Sequence, residues 1–316
     1  NSRTLSETIH AIITYSAKIS IGKHGLPLID LADWNDCLRV DPDCLSGPDK
    51  EQRYAEQLKN KGQSFGVPLK SDFSESVMNG FLLKVAVDAA KKLATLSGKE
   101  SYEKEYASLG AELKERLIET SWKNDFFARV LFNRGSVQYL GAKGDGLAVE
   151  SGAKGVYFLN SFSWSVLSDT ADDGMIETML NTLDNNLRTP YGYRLCSSAD
   201  YSVIAPKIDI DLYYPGDREN GGVFKHANMM AAAAMLKAAN TVKEEPLAKR
   251  LTDTAWWLID CIVPYRTLIS PFESCGNPRF CTQYNNSETG ENMPPTLSGT
   301  SSWLLLSLMS AFGLEI

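Results

Sequence analysis

Two carboxylates and an indole sit together in Ala32-Asp33-Trp34-Asn35-Asp36-Cys37-Leu38. An acid beside a flat aromatic ring suits a sugar. The ring covers the apolar face of a pyranose, and a carboxyl group can protonate a glycosidic oxygen. A plainer reading makes Asp33 a helix cap, Trp34 a core residue and Asp36 a solvated turn residue. Taken alone, the stretch supports both readings equally. The segment leading into it, His24 to Leu31, is short, apolar and broken by Pro27.

A second stretch runs Tyr213-Tyr-Pro-Gly-Asp-Arg-Glu219-Asn220-Gly-Gly-Val-Phe-Lys-His226. Its Gly-Gly step lets a backbone come close to a ligand. His226 falls where an alanine-rich helix begins, and a helix start gathers N–H donors that attract anions. The third stretch, Pro295-Thr-Leu-Ser298-Gly299-Thr-Ser-Ser-Trp303, places hydroxyls and a glycine before another helix. The plainer readings are an exposed histidine on a capped helix and simple capping by Ser301 or Thr300. Together the two stretches put small donors at two helix starts, which would make a phosphate pocket. Neither G-x-x-x-x-G-K-[ST] nor G-x-G-x-x-G occurs, which argues against a nucleotide. His10 lies within a helical pattern and reads as structural.

The bulk composition narrows the class. The chain has 316 residues, 43% hydrophobic and 22% charged, with a net charge of -7. That is ordinary for a globular protein, and the absence of a basic run argues against nucleic acid or an anionic membrane as partner. The six cysteines, at 37, 44, 196, 261, 275 and 281, form no C-x-x-C pair, and there are three histidines. This argues against a Cys/His zinc site and for free thiols in a reducing, cytoplasmic setting. No metal is expected. No run reaches the roughly 18 apolar residues of a membrane span. The chain opens directly on a helical pattern without an initiator Met or a secretory leader, and reads as part of something larger.

The elements that must position these residues are helical. Periodicity predicts helices over 4–20, 73–97, 101–117, 160–168, 171–187, 226–243, 247–262 and 302–312. Residues 82, 85, 86, 89, 93 and 96 would form the buried face of the second. A β-hairpin is expected around Asn133-Arg-Gly135. Long loops cover 40–70, 191–214 and 264–295. Paired helices with long loops after alternate members point to an all-α fold, an (α/α)6 toroid with a minor β-hairpin. A ring of six hairpins needs four more helices than the chain carries. Residues 1–316 are therefore expected to be the C-terminal two-thirds of a catalytic barrel.

The three motifs, in this order and spacing, resemble glycoside hydrolase family 94, which includes cellobiose, chitobiose and β-1,2-oligoglucan phosphorylases. Ser74-Glu-Ser-Val-Met78 at a helix start adds to the similarity. The resemblance implies an (α/α)6 barrel, preceded by a β-sandwich and followed by a small β domain, both absent here. It implies that Asp36 is the general acid and that Trp34 lines the sugar subsite. Glu219 would contact sugar hydroxyls, with Asp33, Asn220 and Gln283 as further substrate contacts. His226, Ser298 and Gly299 would bind phosphate, with Ser298 standing where the family has Thr. The expected reaction is inverting phosphorolysis of a β-glucosidic bond, with inorganic phosphate as co-substrate and no cofactor. A phosphorylase needs one acid and an anion pocket, whereas an inverting hydrolase needs an acid and a base. β-1,2-Oligoglucan is the leading substrate. The alternatives are a cellobiose-type β-1,4 phosphorylase, an inverting hydrolase with Glu219 as base, and a non-catalytic carbohydrate-binding fragment. The expected partners are oligosaccharide and phosphate. The full-length protein is expected to be a homodimer, or to associate with a chain carrying the N-terminal portion.

Overall fold

The computed structural model describes residues 3–29, 34–35, 74–151, 153–199, 214–263, 281–292 and 298–314. Helix α1 (Leu5–Thr14) opens on a capping box in which Thr4 and Glu7 bond each other's backbone amides, and it runs on into a π-helical turn, Tyr15–Ile19. Strand β1 (Ser74–Ser76) leads into α2 (Val77–Leu96), and α3 (Glu100–Ser121) returns beside it. Strands β2 (Val130–Phe132) and β3 (Tyr139–Leu140) and the short α4 (Gly146–Ser151) precede α5 (Leu159–Leu167) and α6 (Asp173–Asn186). Two tight strands, β4 (Arg188–Thr189) and β5 (Gly192–Tyr193), are followed by β6 (Val223–Phe224), α7 (Lys225–Ala239) and α8 (Glu245–Ile262). Strand β7 (Tyr284–Asn285) and α9 (Thr300–Ala311) complete the described elements.

The helices form two layers. Helices α2, α5, α7 and α9 pack side by side in that order, and α3, α6 and α8 each pack behind the helix that precedes them. This inner and outer pairing is that of an α/α toroid. The alanine-rich α7 sits where α5, α8 and α9 meet. Ala231 to Ala234 are all fully buried. Small side chains let three neighbours approach closely, so α7 is apolar all round where a surface helix would carry a stripe.

Helix α2 forms where periodicity places it, but a different face is buried. Phe81, Leu83, Val87, Ala90 and Ala94 face inward, whereas Leu93 and Leu96 are 54% and 85% exposed. The apolar residues of this helix satisfy two overlapping stripes. Packing against α3 and α5 selects the one that includes Gly80, where an added Cβ would lie 2.9 Å from Leu117 Cδ2. Gly98 takes a positive φ of 66° just past the helix end, as a C-terminal glycine should.

The expected hairpin is present, and β1 joins it as a third antiparallel strand, pairing Glu75 with Leu131 and Ser76 with Val130. Strand β7 lies in a segment that sequence patterns assign to a loop. It pairs with β6, Val223 opposite Asn285 and Phe224 opposite Tyr284. At two residues each, these strands are too short to show alternation.

Candidate active site

The starts of the four inner helices lie at one end of the molecule. The amide of Val77, at the start of α2, donates to the Arg129 carbonyl. Met78 Sδ lies between Arg129 and Asn160, the second residue of α5. The Leu159 amide donates to the Leu195 carbonyl, and the Leu195 amide to that of Gly222, three residues before α7. A Cβ added to Gly299, the N-cap of α9, would lie 3.9 Å from His226 Cβ in the first turn of α7. Helices α5 and α7 begin after Phe158 and Phe224, which cannot cap, and the Gly299 N-cap of α9 has no side chain. Helix starts without a side-chain cap keep donors and a partial positive charge available to an anion.

The sequence motifs converge here. Trp34 meets the His226 ring edge-on, with centroids 4.9 Å apart, and the Phe224 ring at 5.7 Å. Phe224 stacks on Tyr284 at 4.9 Å. Asn35 Nδ2 donates to the Glu219 carbonyl at 3.5 Å. The aromatic motif near residue 34 thus borders the loop that leads into α7. Gly299 brings in the third motif, and its absent Cβ would sit 3.4 Å from Trp303 Cδ1. Ser298 Oγ lies 2.8 Å from Thr300 Oγ1 and accepts from the Thr300 amide at 3.4 Å. Asp33 and Asp36 lie outside the described residues.

His226 is 8% exposed and its buried Nδ1 makes no hydrogen bond. Burial pushes its imidazole down to about 4, so the ring is neutral near pH 7. A neutral imidazole beside uncapped helix starts can donate one hydrogen bond to an oxyanion.

A family model, the glycosyl hydrolase 94 superfamily catalytic domain, matches residues 1–311. The chain belongs to this family. Among its relatives, the N,N'-diacetylchitobiose phosphorylase of Vibrio proteolyticus is 25% identical over 304 residues, 94% of this chain and 31% of that protein. The 3-O-beta-D-glucopyranosyl-beta-D-glucuronide phosphorylase of Paenibacillus borealis is 23% identical, covering 90% of this chain and 31% of its own length. The chain therefore spans about a third of the relatives it matches. A solved sialidase chain shares the fold at 11% identity and a TM-score of 0.56, over 96% of this chain and 23% of that one.

In this glycosyl hydrolase 94 domain the predicted residues take different positions. The Glu219 carboxylate lies 3.8 Å from Arg218 Nε. Asn220 is buried, and its amide bonds the backbone of Ala199 in both directions, at 3.0 and 2.7 Å, which pins the Gly-Gly loop to the segment after β5. Gln283 accepts the Lys225 amide through its carbonyl at 3.0 Å, aligning β7 with the start of α7. His10 stacks on Tyr102 at 4.6 Å, in the structural place expected for it.

Two features escape sequence reasoning. Lys225 reads as an ordinary surface charge, yet it is fully buried. Its Nζ donates to the carbonyls of Tyr191 and Cys261, each at 3.2 Å. Burial pushes its ammonium down to about 8, with Cys281 and Cys261 partly offsetting the shift. Trp164 and Trp303 meet edge to face at 5.6 Å between α5 and α9. Their spacing could signal only two helices with an aromatic each. Among the described residues no group of three His, Cys, Asp or Glu side chains could hold a metal ion. No described helix is long and apolar enough to cross a membrane.

Proposed function

We propose that this domain carries out inverting phosphorolysis of a β-glucosidic bond in a β-linked glucose oligosaccharide. The observation that carries the reading is the contact of Trp34 with His226, beside the Gly299 start of α9. A sugar platform and a pocket suited to an oxyanion share one edge. Asp36 follows Asn35 directly, and Asn35 sits against Glu219. In this reading a phosphate oxygen attacks the anomeric carbon from the face opposite the leaving sugar. The glycosidic C–O bond breaks, and the Asp36 proton passes to the departing oxygen. The products are α-glucose 1-phosphate and the shortened sugar. His226, Ser298 and the uncapped starts of α7 and α9 would hold the phosphate, which is a co-substrate, and no cofactor is needed. Glu219 would contact sugar hydroxyls.

β-1,2-Oligoglucan remains the leading substrate, on the similarity of Ser71–Gly80 and Asp217–Gly222, with β-1,4-linked glucose as the alternative. The relatives named above are phosphorylases of other β-linked sugars. We further propose that the chain is the larger part of an (α/α)6 barrel completed by further helices. Exposed apolar side chains at both ends of the helix succession support this: Leu5, Ile12, Tyr15 and Ile19 at α1, and Leu305, Phe312 and Leu314 at α9. A cytoplasmic setting fits the scattered cysteines, which form no C-x-x-C pair.

The test is product analysis with β-1,2- and β-1,4-linked glucose disaccharides, with and without phosphate. Glucose 1-phosphate released only when phosphate is present is the expected result. Free glucose released at the same rate without phosphate would sink the reading in favour of a hydrolase with Glu219 as base.

A further inference from the structure

The residues Gly22 to Leu26 turn the chain from the first helical segment toward the Trp34 motif. Side chains from three other elements converge on this turn. Glu75, the middle residue of β1, is fully buried, and its carboxylate faces the turn. The Leu26 amide donates to Oε1 at 2.9 Å, the His24 amide is shared between the two oxygens at 3.2 and 3.3 Å, and His24 Nδ1 donates to Oε2. Asn133, between β2 and β3, accepts the Lys23 amide through Oδ1 at 3.1 Å, and Arg116 of α3 donates to the Gly25 carbonyl at 2.9 Å. The turn is shaped for these contacts. A Cβ on Gly22 would lie 2.4 Å from Glu75 Cδ, and Gly25 takes a φ of 76°.

The backbone continues the same alignment. The Pro27 carbonyl accepts the Ser76 amide at 2.8 Å, and the Ile29 amide donates to the Ser74 carbonyl at 2.9 Å, so residues 27–29 run along β1. Trp34 follows Ile29 by only five residues. There the Trp34 ring meets His226, and Asn35 meets the Glu219 carbonyl. A slip of one residue against β1 would move the chain about 3.3 Å and turn each side chain to the opposite face. Trp34 would leave His226, and Asp36, two residues on, would be displaced with it. Strand hydrogen bonds alone permit such a slip, because every register offers the same backbone groups. A carboxylate aimed at two amides and the imidazole of one turn does not. Burying that charge is costly, and an apolar contact would stabilise a turn as well. Stability alone therefore does not explain a carboxylate here, whereas a demand for one fixed register does.

We propose that Glu75 is a positioning residue for the proposed reaction: with His24 as its partner, it fixes the register of the segment that carries Trp34 and Asp36. The effect on turnover rests on the phosphorylase reading, to which this adds a residue that touches neither sugar nor phosphate.

The experiment compares the full wild-type chain with Glu75→Gln, His24→Ala and His24→Asn. Initial rates with a β-linked glucose disaccharide at varied phosphate, and amide hydrogen exchange, are taken well below the lowest melting temperature of the set. Glu75→Gln keeps the shape but turns an NH2 group toward donors. It should lower kcat about a hundredfold, the scale of a 1 Å misplacement, and leave the phosphate KM within twofold. His24→Ala should lower kcat in the same direction, and His24→Asn, whose Nδ2 stands near the place of Nδ1, should restore most of it. Amides of residues 24–35 should exchange faster in Glu75→Gln, with those of α7 and α8 unchanged. A group with only a structural role would lower the melting temperature and leave the kcat of the folded enzyme alone. A Glu75→Gln kcat within twofold of the wild type therefore overturns the proposal. If that variant does not fold, equal kcat in His24→Ala and the wild type overturns it. A wild type that forms no sugar phosphate overturns the phosphorylase reading, and hydrogen exchange then tests the anchor by itself. Unchanged exchange of residues 24–35 in Glu75→Gln, or in His24→Ala where Glu75→Gln does not fold, overturns the anchor as well.

Discussion

His226 and Lys225 are adjacent and buried, and both have their charged forms disfavoured by burial. Their effects on stability fall in different pH windows. Unfolded histidine titrates at 6.5 and folded His226 at about 4, so the unfolded chain binds the extra proton between these values. Stability should therefore fall as pH drops from 6.5 to 4, by up to about 3 kcal/mol if the whole shift is expressed. Denaturant unfolding of the wild type and His226→Gln across pH 4 to 7 should show this as a pH-dependent difference, flat above 6.5. For Lys225 the window runs from about 8 to 10.5, and wild-type stability relative to Lys225→Met should rise with pH across it. On activity, His226→Gln should raise the phosphate KM about tenfold while leaving sugar affinity within twofold, as measured by initial rates at varied phosphate. A loss confined to sugar binding would move His226 out of the proposed phosphate pocket.

Elements decide how close the chemistry-bearing residues come. Gly80 lets α2 approach α3, since a Cβ there would meet Leu117 Cδ2 at 2.9 Å and Leu26 Cδ2 at 3.3 Å. Gly80→Ala should cost about 1–3 kcal/mol of stability in denaturant melts, the usual cost of overpacking. Gly141 carries a φ of 112°, and its Cβ would lie 2.3 Å from the backbone nitrogen of Arg129, so Gly141→Ala should be the more damaging change by the same measurement. Gly299 is different. Its φ of -67° suits any residue, and a Cβ would make ordinary contacts with Trp303 and His226. Gly299→Ala should leave the melting temperature almost unchanged and raise the phosphate KM severalfold, because the methyl enters the proposed anion pocket. A stability loss as large as that of Gly80→Ala would assign Gly299 a packing role instead.

At the scale of the whole molecule, the exposed apolar residues of α1 and its π-helical turn stand out. Leu5, Ile12, Tyr15 and Ile19 are 77%, 61%, 53% and 65% exposed. Apolar side chains grouped along one exposed segment usually mark a surface covered by something else. If further helices cover this face, the 316-residue chain on its own should self-associate with rising concentration, and Ile12→Glu with Ile19→Glu should suppress this without lowering the melting temperature. Light scattering at several concentrations checks it. A monodisperse wild type at high concentration would count against a covered face here.

The helical class, the two-layer pairing and the motifs that meet at the site were legible in the residues alone. Periodicity marks helices whichever neighbours they find, and the Gly-Gly step, the hydroxyls and the indole carry their chemistry wherever they stand. The placing of His226 and Gly299 at helix starts was likewise readable, because the alanine-rich run and Ser298-Gly299 are local signals. Only the tertiary structure decided which face of α2 is buried, since Leu93 and Leu96 fit one apolar stripe as well as Phe81 and Val87 fit the other. It also decided that Lys225 is buried, that Asn220 holds Ala199 and that β7 pairs with β6. Each of these depends on contacts between residues distant in the chain, or on strands too short to show a period.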